Sequence, residues 1–225
     1  MDIAFLMGLP RSGSTLLCSI LSQNPKIVSG RISNLCDLMW NAQWSLDNYT
    51  GFTGKQADNH DQILSSIPGS YYAGHEEKLV IDQCRAWTIP ANMAMITKFI
   101  SDDPRIICLT RDEEEVRQSY RNLFSRNGRT DFDGSGFEEE LMRNIFAVEN
   151  AKTLPKNWVH FVEYNDLVSD TENVLRDIYK FLNKDFFEHD LENIVCSFED
   201  NESITGLVGL HEVRSSVGFR NKSIS

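Results

Sequence analysis

The chain opens with an apolar run, Ile3-Ala4-Phe5-Leu6-Met7, that leads directly into Gly8-Leu9-Pro10-Arg11-Ser12-Gly13-Ser14-Thr15. The apolar run predicts a buried strand, and the residues after the second glycine suit the first turn of a helix. The two glycines have the spacing of the G-x-x-x-x-G-K-[ST] loop, which cradles phosphates. Because Ser14 replaces the lysine of that motif and Arg11 lies within the loop, we expect a phosphate ester other than ATP.

The residue types of this loop suit an anion. Backbone N–H groups of Ser12 to Thr15 would face a ligand at a helix N-terminus, where the helix dipole favours negative charge. Gly13 allows the backbone to approach closely, Ser14 and Thr15 add hydroxyl donors, and Arg11 adds a charged donor. The alternative interpretation is a tight strand-to-helix turn that binds nothing.

Hydrophobic patterning predicts an α/β protein with a P-loop-like, three-layer architecture, in which helices flank a central parallel sheet. A chain of 225 residues fits one such domain, 1–225. We predict an irregular segment with short helices at 26–76, an insertion that shapes the acceptor site, and a tail at 205–225. The predicted strands are 2–7, 79–82, 105–110 and 159–163, and the predicted helices are 14–23, 89–101, 113–126, 137–153 and 171–183.

Composition narrows the possible partners. The formal net charge is −11, so the surface repels nucleic acid, polyanionic glycans and anionic membranes. The apolar run at the start is too short for a signal segment or a membrane span. Five cysteines, an odd number without C-x-x-C spacing, favour a reducing compartment, and we expect a cytoplasmic protein. The sequence predicts no particular oligomeric state.

The loop resembles that of a known family. Pro10-Arg11-Ser12-Gly13-Ser14-Thr15-Leu16-Leu17, followed by Asn24-Pro25, is similar to the 5′-phosphosulfate loop of sulfotransferases. These enzymes use 3′-phosphoadenosine 5′-phosphosulfate (PAPS) as sulfuryl donor and release 3′-phosphoadenosine 5′-phosphate (PAP). Arginine at position 11 resembles the branch that includes tyrosylprotein sulfotransferases and related bacterial enzymes. The resemblance implies sulfuryl transfer from PAPS to a hydroxyl or amine acceptor, with no metal.

Three further segments extend the resemblance. Arg111 at the end of the third predicted strand, with Ser119 eight residues later, matches the family's 3′-phosphate motif. Tyr164 lies in a strand-end segment whose tyrosine is near the nucleotide in the family; an ordinary strand-end turn is the alternative. Val213-Arg214-Ser215-Ser216, with Arg220 and Lys222, resembles the C-terminal segment that closes over the cofactor; a disordered tail is the alternative.

The resemblance is weaker in the catalytic groups. The tyrosylprotein branch has a glutamate base shortly after the loop helix, whereas residues 29–33 of this chain contain no carboxylate and Asp37 is the nearest replacement. Gln83 stands at the apparent position of a family lysine near the leaving group, and Arg85 is the candidate substitute. Trp87 either stacks on adenine or packs in the core. The histidine base of the cytosolic branch has no clear match, and His60 and His75, in the predicted insertion, are the candidates considered for it.

The expected acceptor is an alcohol, a phenol, another small molecule or a neutral glycan, because an acidic protein disfavours polyanions. Two other functions remain open at this point. One is a nucleotide kinase, in which the strand 79–82 with Asp82 holds Mg²⁺. The other is a non-catalytic module that binds PAP, another nucleotide or a protein.

Overall fold

The computed structural model describes residues 2–48, 59–196 and 206–218. Within these ranges, helices alternate with strands that form one parallel five-stranded sheet, as the predicted α/β class requires. The strands are β1 Asp2–Gly8, β2 Ile27–Ile32, β3 Leu79–Gln83, β4 Ile106–Thr110 and β5 Val159–Glu163. The helices are α1 Ser14–Leu21, α2 Leu35–Asn48, α3 His60–Tyr71, α4 Pro90–Phe99, α5 Glu113–Arg126, α6 Phe137–Ala151, α7 Tyr164–Ser169 and α8 Thr171–Phe181.

The sheet has the order β2-β3-β1-β4-β5, which places β1 at its centre. The four predicted strands are present, but the prediction that 26–76 is irregular is wrong at β2. This strand lies at the edge of the sheet, and only Ile27 of its six residues is buried. Its pairing with β3 is irregular between Ser29 and Ile32. An edge strand with so little buried apolar surface lacks the periodicity by which strands are recognised.

Two apolar layers cover the sheet because successive side chains of a strand point to opposite faces. Phe5 and Met7 of β1 belong to one buried cluster, together with residues of α2, α4, α5 and α6. Ala4 and Leu6 belong to the other, together with residues of α1 and α8. Both faces of the central strand are therefore buried, as its unbroken apolar run predicts.

The carboxyl ends of β1 and β4 approach each other closely at Gly8. This glycine has a φ of 142°, and a Cβ atom there would lie 2.1 Å from the carbonyl oxygen of Leu109. Leu9 then donates its backbone N–H to that same oxygen at 3.1 Å. The contact brings the loop after β1 beside the residues after β4, at the edge of a parallel sheet where ligand crevices form.

Within the three described stretches of chain, none of the helices has the length and apolar character needed to span a bilayer.

Candidate active site

The loop between β1 and α1 contains two residues with left-handed backbone conformations, Arg11 at φ 60° and Gly13 at φ 91°. Ser12 between them is fully buried, and its Oγ donates to the carbonyl of Leu9 at 2.5 Å. The hydroxyl of Ser12 therefore stabilises the turn. Gly13 precedes α1 directly, so the turn presents the first N–H groups of the helix to an open cleft, an arrangement that attracts anions.

The two predicted phosphate motifs meet in space. Arg111, which follows β4, donates from Nη1 to the backbone carbonyl of Arg11 at 2.8 Å. Arg11 in turn donates from Nε to the Oγ of Ser119 on α5 at 3.1 Å. The orientation of α5 is stabilised locally, because Asp112 caps its N-terminus by accepting from the backbone N–H of Glu115. Arg11, Arg111 and Ser119 thus form one cluster.

Tyr164 belongs to the same cluster. It begins α7, and its ring lies 4.0 Å from the guanidinium carbon of Arg111, in cation–π range. A Cβ at Gly13 would lie 3.2 Å from this ring, so the missing side chain leaves space for the tyrosine. Glu115 holds Arg111 from the other side through an ion pair at 3.1 Å. The Arg111 side chain is only 16% exposed, which limits its freedom to move.

These groups border a cleft of about 1070 Å³, and its lining is basic. Gly13, Ser14 and Thr15 of the loop also line it, together with Ser119 and Tyr164. Cationic side chains outnumber carboxylates in the described part of this lining, although the whole chain carries a net charge of −11. The lining arginines are Arg11, Arg31, Arg85, Arg111 and Arg214, and the lining carboxylates are Glu115, Glu140 and Glu212. An anion would be attracted to this cleft and repelled by most of the remaining surface.

Part of the tail also borders the cleft. Arg11 donates from Nη1 to the carbonyl oxygen of Leu210, and residues 210–214 and 216–218 line the cavity. Asn127 holds this segment through both backbone groups of Val208, and Ile194 donates its N–H to the carbonyl of Ser215 at 2.6 Å. The two basic residues predicted to cover the cofactor, Arg220 and Lys222, lie outside the described residues.

An ion pair that the sequence did not reveal lies at the β3 side of the cleft. Arg85, just after β3, contacts Glu140 of α6 at 2.5 Å between Nη1 and Oε1. Both residues line the cleft together with Gln83. Glu140 was missed because it belongs to a run of three glutamates in the first turn of α6, where acidic residues commonly stabilise a helix. Only the tertiary structure distinguishes it from its neighbours.

The predicted base Asp37 does not share this position. Leu35 and Cys36, the first two residues of α2, are buried, whereas Asp37 is exposed, and it is not among the described residues that line the cleft. Asp37 is the nearest carboxylate along the chain, but sequence proximity does not determine which side of α2 faces the cleft. His60 and His75 are also not among the described lining residues, whereas His211 of the tail is.

Trp87 packs in the core, which resolves the choice left open by the sequence. It is fully buried, and its indole Nε1 donates to Oδ1 of Asp82 at 2.7 Å. Tyr72 donates its hydroxyl to the other carboxylate oxygen at 2.6 Å. Burial raises the pKa of Asp82 above its usual range. With both oxygens occupied and no exposed surface, Asp82 is not available to hold Mg²⁺ as the kinase alternative requires.

The structural neighbours share this architecture. The sulfotransferase domain of the olefin synthase from Synechococcus PCC 7002 has a TM-score of 0.63 at 21% identity, over 91% of this chain and 82% of that chain. A sulfotransferase from Alicyclobacillus acidocaldarius has a TM-score of 0.57 at 17% identity, over 92% and 89%. Mouse sulfotransferase SULT7A1, solved in complex with PAP, has a TM-score of 0.52 at 16% identity, over 83% and 60%. At these identities the similarity establishes the fold.

Membership of a family follows from the sequence comparison. No curated protein matches the chain. A family model described as "Sulfotransferase family" does match, over residues 4–188, and this range contains the loop after β1, Arg111, Ser119 and Tyr164. The chain belongs to the sulfotransferase family.

Proposed function

We propose that this protein transfers a sulfuryl group from PAPS to a hydroxyl or amine acceptor and releases PAP. The observation that carries the proposal is the convergence of Arg11, Arg111 and Ser119, whose motifs are about a hundred residues apart in the chain. A donor with phosphate groups at both its 5′ and 3′ positions needs two adjacent anion sites. The loop after β1 and the Arg111–Ser119 cluster supply two such sites at one cleft.

The residues present fit such a donor. The N-terminus of α1, with Arg11, Ser14 and Thr15, would hold the phosphosulfate end. Arg111 and Ser119 would hold the 3′-phosphate, and Tyr164 would lie beside the nucleotide. The tail segment 206–218, extended by Arg220 and Lys222, would cover it. Support for this arrangement comes from the basic lining of a cleft in an acidic protein.

When bound, PAPS supplies an activated sulfuryl group that an oxygen or nitrogen nucleophile can accept. The side chains of the protein stabilise the negative charge of the phosphosulfate group and remove one proton from the acceptor. Arg11 stabilises negative charge at the phosphosulfate end. Glu140 accepts the proton of the acceptor, and Arg85 keeps the Glu140 carboxylate oriented through their ion pair. Because Glu140 is among the described residues that line the cleft and Asp37 is not, Glu140 replaces Asp37 as the candidate base.

The proposed acceptor is a small alcohol or phenol or a neutral glycan. Described residues after α1 that border the cleft include Arg31, Ile32 and Asn34, at the end of β2 and just after it. This part of 26–76 is where an acceptor would enter. Arginine at position 11 is the reason to place the enzyme with the tyrosylprotein-sulfotransferase-like and bacterial branch.

The decisive experiment is calorimetric titration of the protein with PAP, AMP and ATP–Mg²⁺ under identical conditions. We expect PAP to bind more tightly than AMP by a factor of about 10–100, the value of one or two charge-assisted hydrogen bonds. Equal affinity for PAP and AMP would contradict the 3′-phosphate site. Binding of ATP–Mg²⁺ in preference to PAP would favour the kinase instead.

A second measurement tests turnover. Labelled PAPS is incubated with the protein and a panel of alcohols, phenols, amines and neutral glycans, and labelled product is quantified. We expect transfer to at least one member of this panel. PAP binding without any transfer across the panel would favour the non-catalytic module.

A further inference from the structure

Two cysteines, Cys36 and Cys84, lie side by side next to the cleft. Cys84 directly follows β3, and Cys36 is the second residue of α2. The pairing of β2 with β3 continues past Ile32, because Ser33 donates its N–H to the carbonyl of Gln83 at 2.9 Å. This pairing places the start of α2 beside the end of β3. As a result, Cys36 and Cys84 belong to one packed cluster, and their thiols are neighbours that shift each other's pKa.

The two thiols have different surroundings. Cys36 is buried at 3% exposure, whereas Cys84 is partly exposed. The neighbouring Cys36 thiol and the backbone N–H of Ala86 lower the pKa of Cys84. The Cys84 thiol, followed by burial, raises the pKa of Cys36. Because the attacking thiol in thiol exchange must be accessible as well as deprotonated, the partly exposed Cys84 is the reactive member of the pair.

The remaining cysteines provide an internal comparison. Cys18 and Cys108 are fully buried, and burial raises the pKa of each to about 12. Neither is expected to react in the folded protein. Cys196 is partly exposed and lies in a different part of the chain. Cys196 also acts on Cys18, but the full burial of Cys18 separates that pair from Cys36 and Cys84, whose partly exposed member can react.

The position of the pair connects it to the cleft. Cys84 is flanked by Gln83 and Arg85, both of which line the cavity. Arg85 forms the ion pair with Glu140. A disulfide brings two sulfur atoms to about 2.05 Å, much closer than two unbonded sulfur atoms can lie. Closing that distance draws the segment after β3 and the start of α2 together, and any shift of Cys84 displaces the adjacent Arg85.

We propose that Cys36 and Cys84 form a reversible disulfide in the presence of an oxidised low-molecular-weight thiol such as glutathione disulfide, and that this bond lowers sulfuryl transfer without weakening PAP binding. The Cys84 thiolate attacks one sulfur of glutathione disulfide, and one glutathione thiolate leaves. Cys36 then loses its proton and attacks the Cys84 sulfur, which releases the second glutathione. Two cysteines are oxidised and one glutathione disulfide is reduced to two glutathiones.

The disulfide itself is tested on the full chain, independently of any activity. Folded protein is incubated with glutathione disulfide, free thiols are alkylated after denaturation, and the peptides are analysed by mass spectrometry. We expect a Cys36–Cys84 cross-linked peptide that disappears after treatment with dithiothreitol, while Cys18 and Cys108 are alkylated throughout. Recovery of both Cys36 and Cys84 as alkylated thiols, or a stable glutathione adduct on Cys84, would overturn the proposal.

Single variants verify the order of the two steps. In Cys36→Ala we expect glutathione to remain attached to Cys84, because no second thiol can displace it. In Cys84→Ser we expect no glutathione on Cys36, which is buried. Cys196→Ser is the matched control and should form the same cross-link as the unmodified chain. A glutathione adduct on Cys36 in Cys84→Ser would show that Cys84 is not the attacking residue.

The proposed effect of the disulfide on sulfuryl transfer rests on the proposed function, whereas the disulfide itself does not. PAP affinity and transfer rate are measured on the reduced and the cross-linked protein. We expect equal PAP affinity and a transfer rate lower by about tenfold or more, because small displacements near reacting groups have effects of that size. An unchanged rate in cross-linked protein overturns the regulatory role alone. If PAP fails to bind either form, the proposed function fails while the cross-link remains established.

Discussion

Arg111 donates a hydrogen bond to the backbone carbonyl of Arg11, at 2.8 Å, across 100 residues of sequence. Arg111 thereby holds the loop after β1, which contains Arg11. Because Arg111 is also clamped by Glu115 and stacked on Tyr164, the loop is fixed from the β4–α5 side before any ligand binds. The two proposed anion sites are consequently linked through one set of contacts.

Arg111→Ala should remove the preference for a 3′-phosphate. We expect PAP affinity to fall by about 10–100-fold, whereas AMP affinity should change much less, since AMP lacks the group that Arg111 contacts. Calorimetry with both nucleotides measures the ratio. Arg121→Ala is the control. Arg121 belongs to α5, which follows Arg111, but it pairs with Glu114 and is not among the described residues that line the cleft. A variant at Arg111 that still discriminates PAP from AMP would show that the 3′-phosphate binds elsewhere.

Arg11→Ala should weaken donor binding and transfer together. The variant loses the contacts to Ser119 and Leu210 and the charge that stabilises the phosphosulfate end. We expect the transfer rate to fall by about 10²–10³-fold, the usual effect of removing one such donor. Arg11→Lys retains the charge and should keep an intermediate rate. Steady-state transfer assays and PAP titration provide the comparison. An Arg11→Ala variant with unchanged transfer rate and unchanged PAP affinity would refute the role of this loop.

Glu140→Gln should lower turnover by about 10²–10⁴-fold and leave PAP affinity unchanged, because the amide cannot accept the acceptor's proton. Glu138→Gln is a matched control two residues away, where the carboxylate pairs with Arg117 and is not among the described residues that line the cleft. His211→Asn tests the titratable tail residue in the same assay. If His211→Asn abolishes turnover and Glu140→Gln does not, the base is His211.

Gly8→Ala should strongly destabilise the fold. Its Cβ would overlap the Leu109 carbonyl, a backbone group that cannot rotate away, and the φ of 142° disfavours any side chain. We expect a loss of about 3 kcal/mol or more of unfolding free energy, as for overpacking combined with backbone strain. Gly30→Ala on β2 is the control, because no atom lies within 4 Å of its Cβ position. Urea denaturation of both variants measures the difference in stability. Equal midpoints would show that Gly8 does not approach the Leu109 carbonyl as closely as described.

Acidification below neutral pH should destabilise the fold through His189 and His160. Burial lowers the pKa of both imidazoles in the folded state. The unfolded chain therefore binds protons first as the pH falls through about 6.5, and stability that is fully present above that pH is progressively lost below it.

His189→Gln is the informative variant for this effect. Tyr179 bonds to the His189 Nε2 at 3.0 Å, and glutamine offers a polar replacement that does not titrate. Unfolding free energies measured from pH 7.5 to pH 5 should decline less steeply in the variant, with the remaining slope due to His160. Identical slopes in both proteins would exclude His189 as a contributor.

Much of the architecture could be predicted from the sequence, because the central strands are buried on both faces and read as continuous apolar runs. The range of α5 was predicted as observed, since an acidic first turn and an arginine in its last turn mark its ends. The meeting of Arg11 with Arg111 also follows from topology, because adjacent parallel strands end at the same edge of a sheet.

Other features could not be predicted from local patterns. β2 was missed because an edge strand buries little, and α7 was missed because a single turn of helix at Tyr164 resembles an ordinary loop. Asp37 was selected for its proximity along the chain, whereas Glu140, the cleft carboxylate that we propose as the base, comes from a helix about a hundred residues later. Contacts between distant elements depend on how helices rotate against the sheet, which sequence periodicity determines only coarsely.

The basic cleft in an otherwise acidic protein governs how a multiply charged donor first encounters the enzyme. Collisions with most of the surface are unproductive, because the net negative charge of the protein repels an anion before it can diffuse along the surface to the cleft. At physiological ionic strength the Debye length is about 8 Å, so the arginines attract an anion strongly only when it comes within about that distance. Among the described residues, the mouth of the cleft is consequently the favoured target for diffusion, and the association rate reflects its size.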